Sequence, residues 1–508
     1  MVAGFDDCSP EMGCLHIIDA LSVVVSRGMV LLIIRLKHYM KFTIPLLNRP
    51  IWCALLVAWS LRAVASQSPA PADQSKMPDW LTELSLGAKE TYDDNVLLVA
   101  GKTTPLNPTA MSPQDSWIST VSPKIGFDFA PLTGEQKTFP TLALVYSPDF
   151  VLFHDMPSEN YNAQKIGNKI KGQTGGFSAL LDSDFLFNDG SRTAPTYGLG
   201  SSADQGDKCG SAFASAMVRE RLKQIQERVT VVLQYDIDRF FIRPTATLLY
   251  YDFMTDWHVN TSGRYTGYQN YTDRTDVNGG ADLGYKVTSN LAISLGYRYG
   301  HQYQQALTSD IYNIEINNHS MQSSCDYQRL LLGLEGKPWK WLAVKLAGGP
   351  DFRDYNPGAP VEDYHPVTYY GEAVLTASLT PNQTLTFSYR QWQWVSSVGR
   401  TPYFDSAYAL TYHWNATKRL GLDLSGRFME YDYTVGSAAL SHNSSLRDDA
   451  LYTISAGVSY AFTPHFTTSL AYVCDLGRNL ESGLSADFYP EYREFNHQTI
   501  SLSAKYKF

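Results

Sequence analysis

The 508-residue sequence lacks several features that would point to a common function. After residue 65 it contains no run of about twenty apolar residues, so we expect no membrane-spanning helix there. The net charge is -9 and the sequence has no basic cluster, which argues against a nucleic-acid partner. Neither a His-Glu-x-x-His pattern nor a Gly-x-Ser-x-Gly pattern occurs. We therefore expect no catalytic residues, no metal, no cofactor and no enzyme activity.

Cysteine is also scarce, with six in the whole chain. Only Cys209, Cys325 and Cys474 follow residue 65, and their wide spacing does not match that of a zinc site. A disulfide between Cys209 and Cys325, both expected in surface loops, stays open because no local feature supports it.

The first 80 residues indicate export. Lys41 and Arg49 precede an apolar run over 51–61, and Ala63 and Ala65 provide the small residues that signal peptidase accepts. We interpret residues 40–65 as a signal peptide and residues 1–39 as an extension from a start codon assigned too early. A helical anchor over 21–36 is the alternative. Residues 66–80 then form a short periplasmic linker.

From residue 81 onward, the chain alternates between apolar and polar residues with the period of a β-strand. In the last segment the even positions from Ile500 to Phe508 are apolar, and the odd positions from Thr499 to Lys507 are polar. The polar side is often charged elsewhere in the chain, for example at Arg298 and Asp423. A dry protein core would not tolerate these charges, whereas a water-filled lumen would.

The breaks between the alternating segments are of two kinds. Short turns of about two to eight residues alternate with long polar loops, as they do in transmembrane barrels. Division of the segment from Tyr161 to Phe187 at Gly175-Gly176 makes the strand number even. The pattern predicts an all-β fold, a transmembrane antiparallel up-and-down β-barrel of about eighteen strands over residues 81–508, with sixteen strands as the alternative. A soluble propeller or sandwich is a further alternative, in which the apolar face would be buried.

Three short motifs occur near the start of the barrel. Thr91-Tyr92-Asp93-Asp94-Asn95-Val96 ends the first strand, and Ser122-Pro123 and Val145-Tyr146-Ser147-Pro148 lie in the next two strands. With these motifs in this order, the segment 81–508 resembles a family of β-barrel porins among the outer-membrane β-barrel proteins of Gram-negative bacteria. The resemblance implies an outer-membrane location and a pore-like architecture, without a substrate or catalytic residues.

The aromatic residues Tyr506 and Phe508 end the chain. This ending resembles the closing strand that barrel-assembly machinery recognises in outer-membrane proteins. We therefore predict that both residues belong to a barrel-assembly signal.

Residues in the polar phase should line the lumen. The candidates are Arg298, Arg329, Lys345, Arg390, Arg427, Asp423, Lys505 and Lys507. Because basic residues outnumber acidic ones in this phase, we hypothesise a mild preference for anions or neutral solutes. A web of paired charges with little selectivity is the alternative. The loop from Asn188 to Glu220 is the expected constriction.

Trp392 and Trp394 share the polar phase with Arg390, so they are candidates for stacking against sugar rings. A bulge after Tyr389 would instead turn both indoles into the outer aromatic girdle, which is the interpretation we favour. His413 and Asp423 also share the lumen phase, but no motif places a serine beside them. A lone histidine there is expected to be a structural hydrogen-bonding group.

The sequence thus predicts a porin-like channel of the outer membrane for the passive passage of small solutes, including anions or saccharides. Its partners would be outer-membrane lipid, the barrel-assembly machinery, the solutes and, as an option, further copies of the chain. One alternative is a non-conducting barrel whose surface loops bind polysaccharide or another surface partner. A barrel-embedded hydrolase is another.

Overall fold

The computed structural model divides the chain into two units, Met1–Ser75 and Lys76–Phe508. It describes residues 78, 80–99, 112–129, 141–191, 222–254, 273–305, 323–357, 359, 361, 363–395, 402–432, 448–480 and 494–508, all within the second unit. None of the helices among these residues has the length and apolarity to cross a bilayer. The predicted extension, signal peptide and nearly all of the linker lie outside the described residues.

Nineteen β segments form a single sheet, and every pair of neighbours in it is antiparallel. The segments are β1 Leu81–Asp93, β2 Ser116–Asp128, β3 Thr141–Tyr146, β4 Asp149–Phe153, β5 Tyr161–Thr174, β6 Phe177–Ser191, β7 Leu222–Ile237, β8 Phe240–Asp252, β9 Arg274–Thr288, β10 Leu291–Gln304, β11 Cys325–Trp339, β12 Leu342–Tyr355, β13 Val367–Thr380, β14 Gln383–Trp394, β15 Tyr403–Asn415, β16 Leu420–Asp432, β17 Asp448–Ala461, β18 Phe466–Asn479 and β19 Phe495–Lys507.

The segments β3 and β4 are two halves of one strand. Both lie between β2 and β5, and they are separated only by Ser147-Pro148. Proline has no backbone N–H to donate, so it interrupts the ladder at this point. With the two halves counted together, the barrel has eighteen strands, as predicted, and the sixteen-strand alternative is wrong.

The first and last strands close the ring. β1 pairs with β19 from Ser85 opposite Lys507 to Asp93 opposite Thr499. A closed ring pairs the backbone groups of every strand with those of its neighbours, whereas an open sheet would leave unsatisfied groups facing lipid. The fold therefore meets the main physical requirement for crossing a membrane with strands.

The contact between β1 and β19 is the seam of the barrel. Further backbone and side-chain hydrogen bonds stabilise this seam at the end of β1. Asp94 N–H donates to the carbonyl of Gln498 over 3.1 Å, and Gln498 N–H donates to Asp94 Oδ1 over 2.6 Å. Asn95 Nδ2 donates to the carbonyls of Val99 and Asn496, at 2.9 Å and 2.8 Å. The short motif at the end of the first strand thus joins two parts of the chain that are about 400 residues apart.

The outer wall of the barrel is apolar and exposed. Leu283, Leu295 and Leu332 lie side by side on three adjacent strands and are 62%, 62% and 71% exposed. A soluble propeller or sandwich would bury these side chains, so that alternative is wrong. A closed barrel with an apolar exterior is the architecture of outer-membrane proteins, and this chain is such a barrel.

Aromatic rings gather at the rim where the short turns lie. Trp339 and Trp341 flank the turn between β11 and β12 with their centroids 5.9 Å apart, and Tyr506 and Phe508 lie 4.9 Å apart. Amphipathic rings of this kind favour the boundary between lipid and water. The placement of Tyr506 and Phe508 there leaves their role as an assembly signal a prediction.

Candidate functional site: the inner wall and its constriction

The inner wall carries the polar phase of the strands through their central parts, and register shifts occur only near strand ends. Register places Arg298 opposite Arg329, Glu372 opposite Arg390, and His413 opposite Asp423. Directly opposed residues of an antiparallel pair share a face. All eight lumen candidates therefore lie on the inner wall.

Most of these candidates have a carboxylate or histidine partner. Arg298 lies 2.7 Å from Asp282, Arg390 lies 3.3 Å from Asp405, and Asp423 lies 2.7 Å from His413. Two lysines also pair with carboxylates. Lys345 Nζ is 3.9 Å from Glu372, and Lys505 Nζ is 2.9 Å from Glu83. Among the described residues, Arg427 and Lys507 make no ion pair.

The most deeply buried charges form one cluster around Asp351. Its Oδ2 accepts from Arg329 Nη2 at 2.9 Å and from Arg353 Nη2 at 3.0 Å, while the side chains of Asp351 and Arg353 are 0% exposed. The guanidinium of Arg329 also lies 3.9 Å from the ring centroid of Tyr370. A planar, permanently charged guanidinium can form ion pairs and stack on a ring at the same time, which lysine cannot do as well.

This cluster holds the end of β14. Arg353 Nη2 donates to the carbonyl of Gln393 at 2.7 Å, and Gln302 Nε2 donates to the same oxygen at 3.1 Å. Gln302 belongs to β10, four strands away from β14 along the wall. Adjacent strands lie about 4.8 Å apart, so a side chain cannot span this gap along the wall. The end of β14 must therefore leave the wall and enter the lumen.

The strand register shows where β14 leaves its neighbour. Pairing with β13 stops at Gly371 opposite Gln391, while pairing with β15 continues to Trp394 opposite Tyr403. The end of β14 thus separates from β13 and bends inward. We call residues 392–395 and 403–405 the inner hairpin end. It narrows the lumen at the rim where the long connections lie.

The two tryptophans belong to this inner hairpin end. Trp392 and Trp394 stack with centroids 4.5 Å apart and are only 3% and 2% exposed. The β14–β15 ladder has no bulge between Gln383 and Trp394. The interpretation that both indoles join the outer girdle is therefore wrong, because the face never switches. Stacking against sugar rings stays a prediction.

Arg274 connects the inner hairpin end to the opposite side of the narrowed lumen. Its guanidinium lies 4.7 Å from the ring centroid of Tyr251 and 4.9 Å from that of Trp394. Its Nη1 donates to the carbonyl of Val395 and to Tyr403 Oη, both at 3.1 Å. β9 and β14 are five strands apart, so these contacts also require the hairpin end to lie inside the barrel.

Two further sequence-based predictions concern the loop from Asn188 to Glu220 and the disulfide between Cys209 and Cys325. The loop expected as the constriction lies outside the described residues from 192 to 220, and its first residues, Asn188 to Ser191, complete β6. Cys325 is a buried free thiol at the start of β11 rather than a surface-loop residue, and Cys209 lies outside the described residues. The narrowing that the structure describes comes from β14 and β15.

The sequence analysis missed Arg274, Asp351, Arg353 and Gln302. Parity offered a signal for all four, because Asp351 and Arg353 share the phase of Lys345 on β12. Gln302 likewise shares the phase of Arg298 on β10, and Arg274 that of Asp282 on β9. It could not show that they contact β14, since that contact depends on the bend of a distant strand.

Comparison with known proteins finds only distant similarity, to solved structures. A scan with protein-family models gave no match, and a search of curated proteins gave none either. OpdO of Pseudomonas aeruginosa is 11% identical over 84% of this chain and 96% of that chain, with a TM-score of 0.40. OprD of the same species is 12% identical over 86% and 98%, with a TM-score of 0.36. The siderophore receptor PirA from Acinetobacter baumannii is 9% identical over 84% and 81%, with a TM-score of 0.39.

TM-scores this low do not carry an inference about solutes, so the conclusion rests on the geometry of this chain. The wall is closed, its outer face is apolar, its inner face is charged, and one end of the lumen is narrowed. The chain has the fold of an outer-membrane β-barrel of eighteen strands.

Proposed function

We propose that the barrel is a passive channel for small solutes and that its lumen favours anions over cations. Side chains cannot fill a barrel of about eighteen strands, so water is expected in the lumen on both sides of the narrowing. The charge that this water contacts then sets the ion preference.

The observation that carries the proposal is a difference in exposure within the lysine ion pairs of the inner wall. The side chain of Lys345 is 52% exposed and that of its partner Glu372 is 19% exposed. For Lys505 and Glu83 the values are 52% and 21%. The same order holds for four further pairs, Lys124–Glu83, Lys165–Asp149, Lys169–Asp182 and Lys286–Asp236. In each of these six pairs the lysine side chain is more exposed than the side chain of its acidic partner.

The charged residues that make no ion pair also favour an excess of positive charge in the lumen. Among the described inner-wall residues, Lys171, Arg427 and Lys507 are at least partly exposed and make no ion pair. Asp276 also makes no ion pair, but it is 0% exposed and accepts hydrogen bonds from Gln302 and Tyr327. Two arginine pairs are reversed, because Glu335 is more exposed than Arg243 and Asp184 is more exposed than Arg228. The accessible balance is still positive.

The test is the reversal potential of the refolded barrel in a planar bilayer with a potassium chloride gradient. We expect stepwise openings and a reversal potential with the sign of chloride preference. The triple variant Lys171→Gln, Arg427→Gln and Lys507→Gln should move that potential towards zero. Each of these substitutions removes one positive charge, so Lys223→Gln, which removes one from the outer phase of β7, is the control for each single variant and should leave the potential unchanged.

Two outcomes would contradict the proposal at different levels. A barrel that inserts but shows no openings would reject the channel and favour a non-conducting barrel with binding loops. Openings with potassium preference would keep the channel and reject the anion preference.

A further inference from the structure

Three polar side chains meet on the outer wall, at the rim where the long connections lie. Glu90 of β1 lies opposite Ser119 of β2, and Leu502 of β19 lies opposite Glu90 on the other side. Leu152 of β4 lies opposite Ser119. Leu152 and Leu502 are 51% and 53% exposed, so this row belongs to the apolar outer wall.

His154, just after β4, completes the group. Ser119 Oγ donates to Glu90 Oε2 at 2.7 Å and lies 2.8 Å from His154 Nε2. Glu90 Oε1 is 3.4 Å from the same histidine nitrogen. The hydroxyl has one hydrogen, which it donates to Glu90 in this geometry; rotation about its C–O bond would direct that hydrogen to His154 Nε2, the arrangement of a serine beside its general base.

The position of this group needs an explanation. Ionisable side chains that face lipid are costly and rare, and they mark functional sites by default. Glu90 Oε1 is shielded from water and accepts no hydrogen bond from the described residues. An apolar pair of residues at these positions would satisfy the outer wall at lower cost, since the rest of the row is leucine.

We propose that Glu90, Ser119 and His154 form an esterase site that acts on the acyl esters of membrane lipids. Ser119 is the nucleophile, His154 is the general base, and Glu90 stabilises the protonated imidazole. Glu90 faces the nitrogen that gains the proton, whereas in Ser-His-Asp triads the carboxylate faces the other ring nitrogen.

The reaction balances with water as the second substrate. Ser119 Oγ forms a bond to the ester carbonyl carbon while its proton moves to His154 Nε2. The bond from that carbon to the alcohol oxygen then breaks, and the alcohol leaves with the proton from His154. A water molecule attacks the acylated serine, gives its proton to His154 and releases the fatty acid. The proton returns to Ser119 Oγ, so that no other reactant is needed.

The surroundings select a lipid ester. Leu152 and Leu502 flank the site along the wall, and they offer acyl chains an apolar surface beside the serine. Above the site, the rings of Tyr92 and Trp117 lie 5.4 Å apart on the same outer face. Such rings favour the lipid–water boundary, which is where the ester bonds of a glycerolipid lie.

The experiment uses the refolded full-length barrel in mixed micelles of detergent and phosphatidylcholine. An alkyl fluorophosphonate, which labels activated serines, is added in parallel with a fatty-acid release assay. Ser119→Ala should abolish labelling and release. His154→Gln should lower release by at least about a hundredfold, which is within the usual contribution of a general base. Ser183→Ala is the matched control, since Ser183 lies in the outer phase of β6.

The heat-dependent migration of each variant in SDS gels shows whether its barrel is folded, whether or not the lumen conducts. Labelling and release that are lost only in Ser119→Ala and reduced in His154→Gln would support the site. A wild-type barrel that is neither labelled nor active would overturn it, as would equal labelling of wild type and Ser119→Ala. Each result is independent of whether the lumen conducts anions.

Discussion

Substitution of Asp351 by asparagine tests the importance of the buried charge cluster. This carboxylate is the shared partner of Arg329 and Arg353, with distances of 2.9 Å and 3.0 Å, and it is 0% exposed. Asparagine keeps the shape of the side chain but removes its negative charge. Both guanidinium groups donate to Oδ2, so the amide oxygen of asparagine can still accept from them and the variant mainly tests the loss of charge.

The expected loss is large because a buried charge would lose its partner. Removal of one member of a buried ion pair typically costs about 3–5 kcal/mol, because the remaining charge stays desolvated. Here the change affects two arginines, so we expect Asp351→Asn to lower the free energy of unfolding by at least about 3 kcal/mol. Asp423→Asn is the matched control on the same wall. Its carboxylate is 56% exposed beside His413, and the expected loss is below about 1 kcal/mol.

Urea unfolding of both variants in lipid vesicles, followed by tryptophan fluorescence, measures the difference. A loss for Asp351→Asn within about 1 kcal/mol of the control would refute the reasoning, because it would mean that water or mobile groups reach the two arginines. The slope of free energy against urea must stay unchanged for the comparison to hold.

Three further predictions follow from close contacts on the inner wall and at the seam. Gly300→Ala places a methyl group 2.3 Å from the Tyr327 ring and should cost about 1–3 kcal/mol in urea unfolding, whereas Gly426→Ala, with nothing within 4 Å, should cost far less. Asn95→Ala removes two hydrogen bonds to Val99 and one that crosses the seam to Asn496, and it should lower the free energy of unfolding by about 2 kcal/mol, measured in the same way. Arg353→Met releases the inner hairpin end and should raise single-channel conductance, while the turn variant Arg239→Met should not; equal conductance in both would contradict the described constriction.

Local sequence already specified the wall of the barrel. The alternation in the last strand assigned Lys505 and Lys507 to the polar face and Tyr506 and Phe508 to the apolar face, because the side-chain period of a strand is two. The turn at Gly175-Gly176 could also be found from sequence, and Gly175 adopts the positive φ of 54° that such a turn requires. These features depend only on neighbouring residues.

The functional features depended on contacts that the sequence does not encode locally. Trp392 and Trp394 have the right parity, but the separation of β14 from β13 is decided by Gln302, Arg353 and Arg274, which lie on strands two to five positions away. The group of Glu90, Ser119 and His154 shows the same limit.

The sequence by itself therefore determined which residues face water and which face lipid, since that choice follows from a period of two along each strand. The tertiary structure alone decided which charges neutralise one another, where the lumen narrows and which outward polar groups meet. These properties depend on the register between strands and on the closure of the ring, which bring together residues far apart in the chain.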